Sequence, residues 1–189
     1  MSRTEKQALR QAVRARYPGP ERRDAESGMI CGHVKAWPLF RRARTVAGYV
    51  PLSREADVTP LLREALASGK TLLLPRVEDE RRMTLRRVDR LDELKPNRWG
   101  LLEPPESAEI VPAEAAELLL VPLEAIDARG MRLGKGGGYY DTLLEAQTGV
   151  TLGVALSWQW VERVQLEPWD KPLDAVVDAT GIRYLNKGE

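Results

Sequence analysis

One cysteine, one histidine and one phenylalanine occur among 189 residues. With Cys31 alone, an intramolecular disulfide is impossible and a cysteine-rich zinc site is excluded. With His33 alone, a histidine-rich metal centre is excluded and a Ser–His–Asp arrangement has a single candidate base. His33 falls inside a predicted helix and reads as a partly exposed structural residue. No apolar run approaches the ~20 residues that a membrane helix requires. The start, Met1-Ser2-Arg3-Thr4-Glu5-Lys6, lacks the apolar core of a secretion signal. Excess charge is also missing: 29 Lys and Arg against 28 Asp and Glu leave a net +1, so no overall field calls for nucleic acid or an anionic membrane. A cytoplasmic protein with no nucleic-acid partner and no membrane attachment is expected.

What is present fits an ordinary globular chain: 43% hydrophobic and 30% charged residues. This length buries a core without covalent staples, and one domain over residues 1–189 is expected. There is no internal repeat. Lys6 to Tyr17 places Leu9 and Val13 on one face among cations and reads as a basic helix, stopped by Pro18-Gly19-Pro20. Asp24 to Phe40, with Ile30, Val34 and Trp37 four and three apart, reads as a second helix that Pro38 ends or kinks. Thr45 to Leu52 is a β-type run, Leu61 to Ser68 a helix closed by Gly69, and Thr71 to Pro75 a short strand. A further strand lies near Met83 to Val88, followed by a loop from Lys95 to Pro105. Leu118-Leu-Leu-Val121 lacks polar alternation, which fits a strand covered on both faces. A helix at Tyr139 to Gln147 and strands at Val150 to Leu156, Ala175 to Val177 and Ile182 to Leu185 complete the set. Trp158 and Trp160 alternate on a strand-like run. Strands alternating with helices predict an α/β, three-layer Rossmann-like fold with a largely parallel central sheet flanked by helices. No helix or strand face stands out as spare, so a monomer is expected.

The chemistry concentrates in Arg132-Leu133-Gly134-Lys135-Gly136-Gly137-Gly138-Tyr139-Tyr140-Asp141. A glycine loop ahead of a helix lets successive backbone N–H groups converge on phosphate oxygens. The helix start adds partial positive charge, worth roughly 0.3–2 kcal/mol to an anion. Arg132 and Lys135 add full charges, and Asp141 is a hard oxygen ligand for a phosphate-bound Mg²⁺. The pattern is not a Walker A loop, because Gly136 follows Lys135, nor a dinucleotide fingerprint, because Tyr139 stands where a third glycine belongs. The plain alternative is a turn rich in glycine with solvated cations.

This stretch resembles the signature of the 5-formyltetrahydrofolate cyclo-ligase family, Val-Pro-Gly-x-Ala-Phe-Asp followed by Gly-x-Arg-Leu-Gly-x-Gly-x-Gly-Tyr-Tyr-Asp. Here the text is Val121-Pro-Leu-Glu-Ala-Ile-Asp127 and Gly130-Met-Arg-Leu-Gly-Lys-Gly-Gly-Gly-Tyr-Tyr-Asp141. Leu123 and Ile126 depart from the usual Gly and Phe, and Trp169 stands where His is common. The similarity extends along nearly the whole chain, through Lys6-Gln-Ala-Leu-Arg10, Tyr49 to Pro60, Gly69 to Arg76, Trp99 to Pro104 and Pro168 to Asp174.

The resemblance implies ATP-dependent closure of 5-formyltetrahydrofolate to 5,10-methenyltetrahydrofolate, with Mg²⁺ as cofactor and 5-formyltetrahydrofolate and ATP as the small-molecule partners. It implies that Lys6, Arg10 and residues Arg132, Leu133, Gly134, Lys135, Gly136, Gly137, Gly138, Tyr139 and Tyr140 hold ATP. Val50, Glu55 and Trp99 join Lys135, Gly136, Gly137, Gly138 and Tyr139 around the folate. Lys135 and Tyr139 are the candidates at the reacting atoms, and Asp141 and Asp170 the candidates at the metal. From the residues alone, Glu55 reads as a solvated carboxylate ahead of a helix. By the same reading Trp99 is as easily a core residue under a loop, and the basic face of the first helix a solvated one. The alternatives are a nucleotide- or folate-binding paralogue without ring-closing activity and an unrelated phosphotransferase.

Overall fold

The computed structural model describes residues 3–79, 82–164 and 172–185. In chain order the elements are α1 (Arg3–Ala15), α2 (Pro20–Ala36), α3 (Pro38–Arg42), β1 (Thr45–Ala47), α4 (Thr59–Ala67), β2 (Thr71–Val77), β3 (Met83–Val88), β4 (Lys95–Pro96), β5 (Leu102–Glu103), β6 (Ile110–Val111), β7 (Leu118–Val121), β8 (Ala125–Ile126), β9 (Arg132–Leu133), α5 (Tyr139–Ala146), β10 (Val150–Val154), β11 (Ala175–Asp178) and β12 (Gly181–Tyr184). Eight of the strands form one sheet in the order β12-β11-β10-β7-β1-β2-β3-β6. The five from β11 to β2 run parallel; β12, β3 and β6 add as antiparallel edges.

The apolar strands explain the layering. Successive strand residues point to opposite faces, and β7 is buried on both. Leu118 and Leu120 join Val46, Leu152 and Val177 in a cluster with Val13 of α1, Ile30 and Val34 of α2, Phe40 of α3 and Leu61 of α4. Leu119 and Val121 face the other way and pack with Ala47, Leu73, Val176 and Leu143 of α5. Each fully buried leucine contributes roughly 1.5–3 kcal/mol, so these two clusters hold helices on both faces of a mostly parallel sheet. Among the described residues no helix is long and apolar enough to cross a membrane.

The structure differs from the sequence-based expectations at several points, each with a physical cause. The second predicted helix is two: Trp37 takes an extended conformation, and Pro38 opens α3 because its missing N–H suits a first helical turn. The Thr45 to Leu52 run is strand only to Ala47; beyond Gly48 the backbone folds into a turn in which the Glu55 N–H donates to the Leu52 carbonyl at 2.9 Å. The Lys95 to Pro105 loop contains the β4–β5 hairpin, and β8–β9 is a hairpin that periodicity does not reveal in two-residue strands. Trp158 and Trp160 do not alternate on a strand. Ser157–Gln159 is a 3₁₀ turn, and the two rings join opposite clusters.

Candidate active site

Parallel strands bring their carboxyl ends to one sheet edge, where α/β folds bind ligands. The segment after β1 and the loop leading to α5 are joined there by an ion pair. Lys135 Nζ lies 2.6 Å from Glu55 Oε1. The other oxygen, Glu55 Oε2, accepts the Leu52 N–H at 2.9 Å, and the residue is 6% exposed. Glu55 is therefore a buried, oriented carboxylate, which overturns the solvated reading. Two phenols face it. Burial and then the Glu55 charge push the Tyr140 hydroxyl well above its usual range, against the opposing pull of Arg132. Tyr49, fully enclosed, is raised for the same two reasons, and its hydroxyl donates to the Ala56 carbonyl at 3.1 Å. Both phenols are thus neutral donors beside a carboxylate.

The glycine loop is held from α1. Arg10 is 8% exposed, and its Nε donates to the Gly134 carbonyl at 2.9 Å. At Gly136 the backbone has φ of 102°, and a Cβ there would sit 3.2 Å from the Arg10 guanidinium carbon. Gly138 is left-handed with φ of 72° and caps α5 without a side chain, so no side chain covers the helix start, where the Asp141 N–H donates to the Gly138 carbonyl at 3.2 Å. Burial pulls the Arg10 pKa down, with Glu124 opposing that effect. One turn further along α1, Arg14 pairs with Glu124 at 2.7 Å. Arg14 and Glu124 are positioning residues that sequence reasoning missed; the pair spans 110 residues, so no local pattern announces it.

Arg132 and Asp141 close the loop at its base. Arg132 Nη2 donates to Asp141 Oδ1 at 2.6 Å, and the guanidinium lies over the Tyr140 ring at 5.8 Å. The Asp141 side chain is 57% exposed, a hard oxygen donor on an accessible helix start. No group of three or more His, Cys, Asp or Glu poised to hold a metal occurs among the described residues. That donor set fits Mg²⁺, which keeps most of its waters and needs only one or two carboxylates when it arrives on phosphates.

Arg10, Glu55, Arg132, Lys135, Tyr140 and Asp141 are thus brought together with the glycines. Tyr139 is half-buried against the cluster containing Met83 and Leu143. Leu133 is buried and supplies backbone pairing to Ala125 rather than a surface. Lys6 is half-buried one turn before Arg10 on α1. Val50 packs with Leu62, Leu72 and Leu74. Trp99 is no core residue: it is 52% exposed on the β4–β5 turn and lines a separate cleft. Asp170 and Trp169 lie outside the described residues. His33 is half-buried in α2, its Nε2 3.1 Å from the Ala179 carbonyl, as a structural residue would be.

Comparisons with known proteins show the family. A model of the 5-formyltetrahydrofolate cyclo-ligase family matches residues 2–179. The chain belongs to this family. It is similar to 5-formyltetrahydrofolate cyclo-ligase of Escherichia coli K12, 32% identical over 175 residues, covering 89% of this chain and 96% of the relative. The corresponding protein of Mycolicibacterium smegmatis is 31% identical over 188 residues, covering 94% and 95%. Among solved structures, 5,10-methenyltetrahydrofolate synthetase of Aquifex aeolicus superposes with a TM-score of 0.85 at 36% identity, covering 97% of this chain and 94% of that one.

Proposed function

We propose that the chain uses ATP and Mg²⁺ to close 5-formyltetrahydrofolate to 5,10-methenyltetrahydrofolate, releasing ADP and phosphate. The observation that carries this reading is the Lys135–Glu55 pair, because it sets a phosphate-type glycine loop directly against a buried carboxylate. A carboxylate that accepts hydrogen bonds only suits the N–H edge of a pterin. The glycine amides and Arg10, Arg132 and Lys135 suit a triphosphate, with Lys6 on the same helix as Arg10.

The chemistry requires both ligands side by side. The N5-formyl group is an amide, stabilised by the resonance that gives such bonds a barrier of ~18–20 kcal/mol. The formyl oxygen attacks the γ-phosphorus, the bond to the β-phosphate oxygen breaks, and ADP leaves. N10 then adds to the activated formyl carbon of this iminophosphate, its proton passes to water, and the C–O bond breaks to release phosphate. Phosphoryl transfer depends chiefly on positioning and charge stabilisation. In this reading Lys135 leaves Glu55 as the pterin arrives and turns its charge on the transferring group. Tyr139 borders the reacting atoms. The chain's own buried phenols keep Glu55 in a dry, polar setting. Asp141, with Asp170, holds Mg²⁺, which when bound offsets phosphate charge. Val50 and Trp99 border the folate. The protein acts as a cytoplasmic monomer of one domain.

The test is incubation of the purified protein with 5-formyltetrahydrofolate, ATP and Mg²⁺, following methenyl-folate absorbance and ADP together. One ADP per product is expected. Tight ATP binding without product would replace this reading with the binding-only paralogue, which the departures from the family pattern at Leu123, a buried residue, and Trp169 favour.

A further inference from the structure

The carboxylate of Glu55 stands on backbone that belongs to no helix or strand. Residues 48–58 connect β1 to α4, and Glu55 and Ala56 are buried within that connection. A buried carbonyl outside regular structure needs a partner from elsewhere, and three successive carbonyls find theirs in side chains. Arg23 Nε donates to the Glu55 carbonyl at 2.8 Å. The Tyr49 hydroxyl donates to the Ala56 carbonyl at 3.1 Å. The Cys31 thiol, a weak donor, lies 3.3 Å from the Asp57 carbonyl. The Asp57 N–H in turn donates to Ser27 Oγ at 2.9 Å.

Arg23, Ser27 and Cys31 are four apart along α2, so they form one stripe on a single face of the helix. The stripe is braced within itself. Ser27 Oγ donates to the Arg23 carbonyl at 2.7 Å, which leaves its lone pairs to the Asp57 N–H. Arg23 Nη1 pairs with Asp24 Oδ1 at 2.9 Å, and the arginine side chain is 16% exposed against 62% for the aspartate, so the pair steadies the guanidinium from its solvent side. Within the connection, the Leu52 N–H donates to Glu55 Oε2 and the Glu55 N–H to the Leu52 carbonyl, both at 2.9 Å. These internal contacts fix the shape of the turn; the stripe on α2, with Tyr49, fixes its place. Arg23 grips the backbone of Glu55 itself, at the carbonyl bonded to the Cα that carries the carboxylate. Movement of that peptide moves the carboxylate, and with it the Lys135 contact.

We propose that Arg23 and Ser27 are positioning residues for the folate, acting from α2 through Glu55. The inference rests on the folate reading above and adds to that site two residues that do not themselves touch substrate. Supporting contacts of this kind hold the groups of a binding site within about 0.5 Å of the productive geometry. A carboxylate that meets the N–H edge of a rigid ring needs that precision, because the ring cannot bend to follow it.

The test measures the Kd of the full chain for 5-formyltetrahydrofolate and for a non-hydrolysable ATP analogue by calorimetric titration, beside a thermal melt. Arg23→Ala should raise the folate Kd about threefold to tenfold, the worth of one net hydrogen bond, and leave the nucleotide Kd within about twofold. Ser27→Ala, which takes the acceptor from the Asp57 N–H, should repeat this one-sided rise. Phe40→Leu, a core substitution in α3 ahead of β1, should lower the melting temperature while leaving both Kd values in place. A double-mutant cycle decides whether Arg23 acts through Glu55: once Glu55→Ala has removed the carboxylate, Arg23→Ala should no longer change the folate Kd. Equal rises in both Kd values, no rise in either, or a full effect of Arg23→Ala without the Glu55 side chain would overturn the positioning role and leave the folate reading standing. An unaltered protein that binds no 5-formyltetrahydrofolate, or a folate Kd indifferent to Glu55→Ala, would overturn the folate reading of this site, and the positioning role with it.

Discussion

Lys135 Nζ and Glu55 Oε1 are 2.6 Å apart, although the two residues belong to separate loops on separate strands. The glutamate side chain is 7% exposed and the lysine side chain 39%, so the carboxylate is fixed and the ammonium is the movable partner. Without a ligand each neutralises the other. Under the proposed function, a pterin that offers N–H donors to Glu55 would release Lys135 toward the phosphates, coupling the binding of one substrate to the charge available for the other.

Glu55→Gln tests that coupling. It keeps size and one acceptor but removes the charge. A hydrogen bond to a charged group contributes about 1.5–3 kcal/mol, so the folate KM should rise roughly tenfold to a hundredfold. The ATP KM should change far less, because Lys135 is then free without any ligand. Initial-rate measurements varying each substrate in turn decide it: equal rises in both KM values would remove Glu55 from the folate site.

Much of this was legible before any coordinates, and the reasons differ by residue. Leu118–Val121 carries its burial in its own composition, so both its type and its bounds can be read directly. The loop from Gly134 to Gly138 is legible because glycine, lysine and a following helix state their geometry locally. Glu55 is different. Nothing within several residues of it shows that Leu52 N–H and Lys135 will meet its carboxylate, since the second partner comes from across the sheet. Arg14 and Glu124 stayed hidden for the same reason, as did the β8–β9 hairpin, which is too short for a period to emerge. Trp99 shows the converse: an aromatic in a loop suggests core, yet here the Asn97-built turn holds it outward.

Gly136→Ala isolates the geometry of the loop from its charges. A side chain at φ of 102° is strained, and its Cβ would press on the Arg10 guanidinium at 3.2 Å. Strain of this kind costs on the order of 1–3 kcal/mol. The variant should fold with a melting temperature a few degrees lower, and its ATP KM should rise at least several-fold as the loop and Arg10 move apart. Calorimetric titration with a non-hydrolysable ATP analogue provides the check. Unaltered nucleotide affinity would mean that the loop does not touch the phosphates.

Asp141→Asn separates metal holding from folding. The side chain is 57% exposed, and an amide oxygen still accepts from Arg132, so stability should stay within about 0.5 kcal/mol, as for surface substitutions generally. Losing a ligand charge should lower turnover at least tenfold and raise the Mg²⁺ concentration for half-maximal rate by about tenfold to a hundredfold, the range seen when support of a metal site is lost. A Mg²⁺ titration of the rate, run beside a thermal melt, checks both. Full turnover at the original Mg²⁺ requirement would take Asp141 out of the metal's reach.

Cys31 provides a probe of the α-helical layer that is independent of catalysis. Its thiol is buried between α2 and the segment before α4, and Sγ lies 3.3 Å from the Asp57 carbonyl, which the thiol can reach as a donor. Burial, followed by the Asp57 charge, pushes its pKa from 9.0 up to about 11. Only the thiolate reacts with disulfide reagents, so at pH 8 about one thiol in a thousand is ionised, and access is blocked besides. The folded protein should therefore label far more slowly than the unfolded chain. The same shift fixes the sign of an alkaline effect. Below pH 9 both states keep the proton and the thiol favours neither. Between pH 9 and about 11 only the unfolded state loses it, so stability falls as pH rises through that window. Cys31→Ala should flatten that part of the stability curve while Tyr49, whose hydroxyl is also raised, maintains the fall at higher pH. Rapid stoichiometric labelling of native protein at pH 8 would contradict the enclosed thiol, and an identical alkaline profile in Cys31→Ala would contradict its share of the pH dependence.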